Sequence, residues 1–332
     1  MKASVLKEDG LKNIPLLYEA LIARSKVLKA IREFFYKESF LEVETPALVP
    51  YQSADMNIFS PEVIIRDFEG RRHRLFLHAS PENSMKKLLA SGFIRIFQIT
   101  KAFRDSEVTD LHSPEFTILE WYRADSDYND MMADAQAIVQ SAAKALGKTY
   151  ASYLGKTCDL FSQWDRISLS DAFREYAEEE LLFEREDYED WFFKNLMEKV
   201  EPHLGFGAPT FVYDYPKRLG TMAKPKFDNP QLLERVELYI CGIEVADGYS
   251  ELTDPEEQRR RFEEVAVAES KIMDTELLKV LENGMPQSAG MAIGIDRLLM
   301  LLLGTPTIHS IIPFNFLDVT EGKEPFSDSQ SP

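Results

Sequence analysis

The sequence predicts an α+β fold, an antiparallel sheet flanked by helices, in a single domain over residues 1–320 followed by a polar tail at 321–332. Three stretches carry that expectation. Residues 95–123 read as two alternating strands around a polar loop, residues 235–252 as an acidic hairpin, and residues 288–304 as a small-residue strand running into an apolar helix. With 332 residues, 45% of them hydrophobic, the chain can bury a large core.

In the first stretch Phe97, Ile99 and Phe103 alternate with Gln98, Thr100, Ala102 and Arg104 until a loop begins near Asp105. The chain resumes after Pro114. Side chains repeat every two residues along a strand, so Phe116, Ile118, Glu120 and Tyr122 share one face while Leu119 and Trp121 turn back toward a core. One sheet face therefore carries an arginine, a carboxylate, an aromatic ring and a phenol. Each alone is ordinary on a salt-bridged surface; together they suit a charged ligand.

Upstream, Leu17, Leu21, Leu28, Ile31 and Phe35 recur at roughly helical spacing, predicting a helix over 16–37. The segment FLEVETPALVP follows, and Pro46 confines it to an edge or interface strand. Residues 75–90 read as a strand entering a helix, with Ser80 as N-cap, Pro81 at the first helical position and Glu82 in the first turn, where a carboxylate favours the helix dipole. A helical insertion is expected over 125–205, with an amphipathic stretch from Asp130 to Leu146 and a capping box at Ser168 and Asp171. A further strand is expected at 209–215.

In the second stretch, a two-residue turn at Cys241-Gly242 pairs residue 240 with 243 and 239 with 244. Glu237 shares a face with residue 239, so Glu237 and Glu244 fall on one face, close enough to hold one hard cation. In the third stretch, Gly294 permits close backbone approach by a ligand, and Asp296 and Arg297 open an apolar helix.

Composition excludes several classes. The net charge of −18 opposes broad binding to a phosphate backbone. Cys158 and Cys241 are far apart in sequence and lack metal-ligand spacing, which argues against a disulfide framework or a structural zinc site. The N-terminus lacks an apolar signal segment, and the longest apolar run, Leu298 to Leu303, is too short to span a bilayer. A cytoplasmic protein without membrane contact is expected.

The run FR…HSPEFT…LEWY resembles motif 2 of the class II aminoacyl-tRNA synthetases of lysyl type, and most closely their truncated paralogues that attach lysine or (R)-β-lysine to elongation factor P. The resemblance extends over most of the chain. Residues 26–50 are similar to motif 1, which implies a homodimer, and residues 288–304 to motif 3. Only about a dozen residues precede the first helix, so no anticodon-binding OB domain is expected. The resemblance implies the class II synthetase catalytic fold and an AMP-forming ligase that uses ATP and magnesium. It also implies elongation factor P rather than tRNA as acceptor.

Carried over residue by residue, the resemblance implies that Arg104 and Arg297 are catalytic. Ser80, Pro81, Glu82, Glu120, Tyr122, Asp247, Glu251 and Ala292 would surround the amino-acid substrate. Arg104, Asp105, Ser106, Ser113, Phe116, Glu244, Val245, Gly294 and Arg297 would surround ATP, with Phe116 stacked on adenine, and Glu237 and Glu244 would hold magnesium. Ala292 stands where the tRNA enzymes usually have glycine and the β-lysine ligases alanine. Four positions depart from the pattern. Arg104-Asp105-Ser106 replaces Arg-Asn-Glu, which leaves Glu107 or a water to meet adenine; Ser113 and Asp247 each replace an asparagine; Asp110 replaces a basic residue. These departures leave open a non-catalytic paralogue that binds an amino acid or a protein, and a tRNA-aminoacylating enzyme.

Overall fold

The computed structural model describes residues 14–181, 184–185 and 187–321. The N-terminal decapeptide and the tail beyond Glu321 lie outside the described residues. The strands are β1 (Leu41–Glu42), β2 (Leu48–Val49), β3 (Glu62–Arg66), β4 (Arg72–Leu77), β5 (Arg95–Phe103), β6 (Glu115–Ala124), β7 (Tyr150–Tyr153), β8 (Lys156–Asp159), β9 (Asp165–Ser168), β10 (Thr210–Pro216), β11 (Leu232–Ile240), β12 (Ile243–Ser250) and β13 (Ser288–Gly294). The α-helices are α1 (Ile14–Lys37), α2 (Glu82–Ala90), α3 (Tyr128–Ala145), α4 (Leu169–Ala172), α5 (Tyr188–Asn195), α6 (Pro255–Glu269), α7 (Thr275–Glu282), α8 (Ile295–Leu303) and α9 (Phe316–Thr320).

An eight-stranded sheet in the order β1-β5-β6-β13-β12-β11-β10-β9 organises the chain. Pairing is antiparallel from β5 across to β10, and only the edge strands β1 and β9 run parallel to their neighbours. The α+β expectation holds. One face of this sheet is dry: Phe97, Leu119, Trp121, Leu238 and Ile293 meet Val27, Ile31 and Phe35 of α1 and the apolar faces of α3 and α8. The other face is left for polar side chains.

Pro46 has the expected effect. It interrupts the segment between β1 and β2, which are two residues each, and β2 joins a separate three-stranded sheet. The first helix buries Ala20, Ala23, Val27, Ile31 and Phe35, while Leu21 is exposed, so its inward stripe is offset from the one read off the leucines. The insertion is not wholly helical. It contains the β7–β8 hairpin and β9, which pairs with β10, between α3 and the short helices around α5. Their four-residue length gave too few alternations to register as strands. At Ser168 the hydroxyl accepts from Asp171 N and donates to Asp171 Oδ2, so the two side chains meet directly.

Candidate active site

The polar face of the sheet is ordered in cross-strand rows. Glu237 of β11 pairs with Asp247 of β12, Asp247 with Ala292 of β13, Ala292 with Glu120 of β6, and Glu120 with Gln98 of β5. The adjacent row runs Arg235, Tyr249, Gly290, Tyr122, Ile96. A cleft of about 390 Å³ lies over these rows.

The turn at Cys241-Gly242 forms as the sequence predicts, with φ of 54° and 77° and with Tyr239 opposite Glu244. A bulge follows. Leu238 pairs with Ala246 while Tyr239 pairs with Glu244, which leaves Val245 without a partner. Val245 and Ala246 both turn into the core. The extra residue resets the alternation, so Glu244, Asp247 and Tyr249 lie on the same face although their numbers differ in parity. Only the main chain of Val245 is therefore free to meet a ligand in the cleft.

Most of the expected site residues converge here. Ser80, Glu82, Glu120, Tyr122, Asp247, Glu251 and Ala292 line one part of the cleft; Arg104, Ser113, Phe116, Glu244, Gly294 and Arg297 line another. Pro81, Asp105 and Ser106 are not part of the lining. Ser106 sits in the left-handed region at φ 65°, where the chain leaves the strand, and Glu107 is the loop carboxylate that reaches the cleft, 3.7 Å from Arg104.

The helix start departs from the expected cap by one position. The first helical residue is Glu82, and Pro81 takes the cap position. Ser80 Oγ accepts from Glu82 N at 3.0 Å and donates to Glu120 Oε2 at 2.6 Å, tying helix to sheet. Tyr122 donates to the other oxygen of Glu120 at 2.5 Å. Burial raises the pKa of Glu120 to about 7, aided by the nearby Glu82 charge and opposed by these two hydrogen bonds. Glu251 is fully buried, and its pKa is likewise raised to about 8, chiefly by burial.

Two cations escaped the sequence reading. Lys86 lies 2.6 Å from both Glu82 Oε1 and Glu251 Oε2. Arg235 donates to both oxygens of Asp247, at 2.9 and 3.0 Å, and to Glu237 Oε1 at 2.8 Å. The charge that Asp247 introduces is thus met within the protein. Period-two spacing from Glu237 could have flagged Arg235, and i,i+4 spacing from Glu82 could have flagged Lys86.

Glu237 also lines the cleft, but its carboxylate is already engaged within the protein. Besides Arg235, it accepts from Tyr215 at 2.6 Å and Tyr239 at 2.7 Å through Oε2, and burial raises its pKa to about 8. The hairpin register brought it to the right face, but the phenols of the neighbouring strand and of its own strand claim its oxygens. Among the described residues, no group of three or more His, Cys, Asp or Glu side chains is arranged to hold a metal. Glu244 fits better: its side chain is 41% exposed, as a carboxylate shared with ligand phosphates would need to be.

Motif residues at the far end are held in place from several sides. Arg297 donates to Glu244 O at 2.8 Å and to His112 Nε2 at 2.5 Å. His112 is kept neutral by burial and by Arg297, so its Nδ1 proton is available to Thr109 Oγ1 at 2.7 Å. Asp296, read as a helix-end acid, is buried; it accepts from Thr117 N at 2.6 Å and pairs with Arg24, joining α8, β6 and α1. The Arg104 guanidinium lies 5.1 Å from the Phe116 ring centre.

The chain matches the family described as tRNA synthetases class II (D, K and N) over residues 13–317. It is 34% identical to the lysine–tRNA ligase of Thiobacillus denitrificans, with 88% of this chain and 63% of that protein covered. It is 36% identical to lysine–tRNA ligase 2 of Methanosarcina mazei, with 89% and 62% covered, and 35% identical to the lysine–tRNA ligase of Thermotoga maritima, with 88% and 61% covered. The chain spans somewhat less than two thirds of the length of these relatives. No helix among the described residues is long and apolar enough to cross a membrane. A polar sheet face with an arginine–aromatic end and a carboxylate end agrees with those matches, and the chain belongs to the class II tRNA synthetases of the D, K and N group.

Proposed function

We propose that this chain is an AMP-forming ligase that activates lysine or (R)-β-lysine with ATP and transfers it to a lysine ε-amine of elongation factor P. The observation that carries the activation step is the convergence of Glu82, Glu120 and Glu251 with Arg104, Phe116 and Arg297 in the lining of one cleft. Carboxylates select ammonium groups; a guanidinium beside an aromatic ring selects a nucleotide phosphate and base.

In this reading the substrate carboxylate attacks the α-phosphorus of ATP, pyrophosphate leaves, and the acceptor amine then attacks the acyl carbon with loss of AMP. Arg104 holds the reacting carboxylate and α-phosphate, and Arg297 holds the distal phosphates once it exchanges its contact with His112 for the nucleotide. Catalysis is positioning and charge stabilisation. Magnesium, held by Glu244 and the nucleotide phosphates, would offset phosphate charge; Glu237 acts behind it by fixing Arg235 and the two tyrosines. Glu107 takes the place of the missing carboxylate at Ser106. The exposed apolar residues Tyr36, Leu41 and Leu48 support a homodimer through the motif 1 segment, and the reading places the protein in the cytoplasm.

The net charge of −18 favours a protein acceptor over tRNA. The names of the relatives favour a second reading, transfer to tRNA. ATP–pyrophosphate exchange across a panel of amino acids tests activation: exchange restricted to lysine isomers is expected, and none with any amino acid would leave a non-catalytic paralogue. Side-by-side transfer of the activated product to elongation factor P and to tRNA decides the acceptor. Charging of tRNA at a rate rivalling protein modification would reject the first reading.

A further inference from the structure

Lys86 sits one helical turn after Glu82 and is 2% exposed. A buried ammonium is costly without partners. Burial pulls the Lys86 pKa down, but Glu251 and Glu82 more than reverse this, so the group stays protonated. Its Nζ is also 5.2 Å from the Tyr249 ring centre, and Tyr249 donates to the same Glu82 oxygen that Lys86 engages. Glu82 and Glu251 line the cleft, with Lys86 behind them. Lys86 engages one oxygen of each. Apart from the Lys86 ion pair at Oε2, neither oxygen of Glu251 has a hydrogen-bond partner, and Oε1 lies 3.0 Å from where a Cβ on Gly290 would be.

We propose that Lys86 is a positioning residue that sets the specificity of this pocket. It holds Glu82 and Glu251 by one oxygen each and leaves the other for substrate. It also cancels one of three carboxylate charges, matching the pocket to a substrate with two ammonium groups. Once a bound substrate has drawn all three into their ionised forms, Glu82, Glu120 and Glu251 carry three negative charges, and Lys86 reduces the sum to two. An amino acid with only one ammonium group leaves a buried carboxylate unpaired, which is strongly unfavourable. This inference rests on the lysine-activating reading above.

Without Lys86, three carboxylates would share a dry site with no internal counter-ion, and each would become harder to ionise. The groups facing this site are Glu82 on α2, Glu120 and Tyr122 on β6, Tyr249 on β12, Glu251 just beyond it, and Asp55 from the loop over the cleft. None of these is basic, and Lys86 is their counter-ion.

The test is Lys86→Met, similar in length and uncharged, read as the pH profile of kcat/KM for lysine in pyrophosphate exchange. The acid limb should move up by at least about one pH unit, with a fall of at least about tenfold at pH 7 expressed in KM for lysine, while KM for ATP is kept. Lys86→Arg, which keeps the charge, should leave the limb in place. A Lys86→Met enzyme with an unmoved limb overturns the proposal. Should that variant fail to fold, wild-type protein labelled with ε-15N-lysine answers instead: one slowly exchanging ammonium resonance should shift on lysine addition, and one indifferent to saturating lysine overturns the proposal. A wild type without lysine-dependent exchange defeats the functional reading itself, a different result from an active wild type whose variant keeps its profile.

Discussion

Gly290 lies at the centre of the row that runs from Arg235 to Ile96, and Gly290→Ala is the sharpest steric test of the proposed pocket. A Cβ at this position would be 2.2 Å from Tyr122 Cε1 and 2.4 Å from Cδ1. Ordinary carbon contacts begin near 3.5 Å, so the ring must retreat by roughly 1.3 Å. Tyr122 is 3% exposed and packed against Met85 and Leu89, which leaves the ring little room to give. Its hydroxyl starts 2.5 Å from Glu120 Oε1, so such a shift carries it beyond hydrogen-bonding range. A hydrogen bond to a charged group is worth about 1.5–3 kcal/mol, which corresponds to lysine binding weaker by about one to two decades. Overpacking should cost a further ~1–3 kcal/mol of stability. The assay is pyrophosphate exchange, with KM for lysine raised and KM for ATP nearly unchanged. Gly294→Ala is the control: the nearest atoms to its added methyl belong to the Arg297 side chain, no closer than 3.8 Å, so lysine KM should hold. A folded Gly290→Ala enzyme with wild-type KM for lysine would refute the assignment of Tyr122 and Glu120 to the amino-acid site.

Glu244→Gln should reduce exchange at low magnesium far more than at high magnesium, because an amide is a poor substitute for a carboxylate at a hard cation. Glu237→Gln should alter the rate without changing the magnesium dependence, and the reverse pattern would restore Glu237 as the ligand. Binding of lysine should also release protons. The pKa values of Glu251 and Glu120 are raised to about 8 and about 7, so both are partly protonated at pH 7, and an arriving ammonium favours their ionised forms. Calorimetry in buffers of different ionisation enthalpy should show release on the order of one proton at pH 7, shrinking as pH rises through 8. Proton uptake at pH 7 would contradict the carboxylate pocket.

How much of this was legible in the sequence depends on how far each residue's neighbours are local. Strands β5 and β6 could be read because nine- and ten-residue alternations leave no other phase that buries Phe97, Leu119 and Trp121 together. The Cys241-Gly242 turn could be read because both residues need positive φ and glycine supplies one of them. The two cysteines, distant in the chain, nevertheless meet at this turn: Cys241 Sγ approaches Ala151 O, and Ala151 pairs with Cys158 on the β7–β8 hairpin. Lys86 and Arg235 were missed because a long cation on a helix or strand is usually solvated, and only tertiary packing shows that these two are enclosed by carboxylates.

The bulge at Val245 shows why motif and alternation had to be combined. Strict alternation from Glu244 would send Asp247 and Tyr249 to the dry face, burying a carboxylate and a phenol among the side chains around Leu238 and Ile293. Taking Asp247 and Tyr249 as fixed would instead send Glu244 inward. Neither phase leaves all the polar groups on the wet side, and one unpaired residue resolves the conflict at the loss of one ladder position. The inserted residue had to be apolar, because Val245 and Ala246 occupy successive positions and both enter the core. A polar–apolar–apolar–polar run across an otherwise alternating strand, as in Glu244-Val245-Ala246-Asp247, is therefore the local trace that a bulge leaves. Here it marks the point where the phosphate-facing and amine-facing parts of the proposed site are brought onto a single surface.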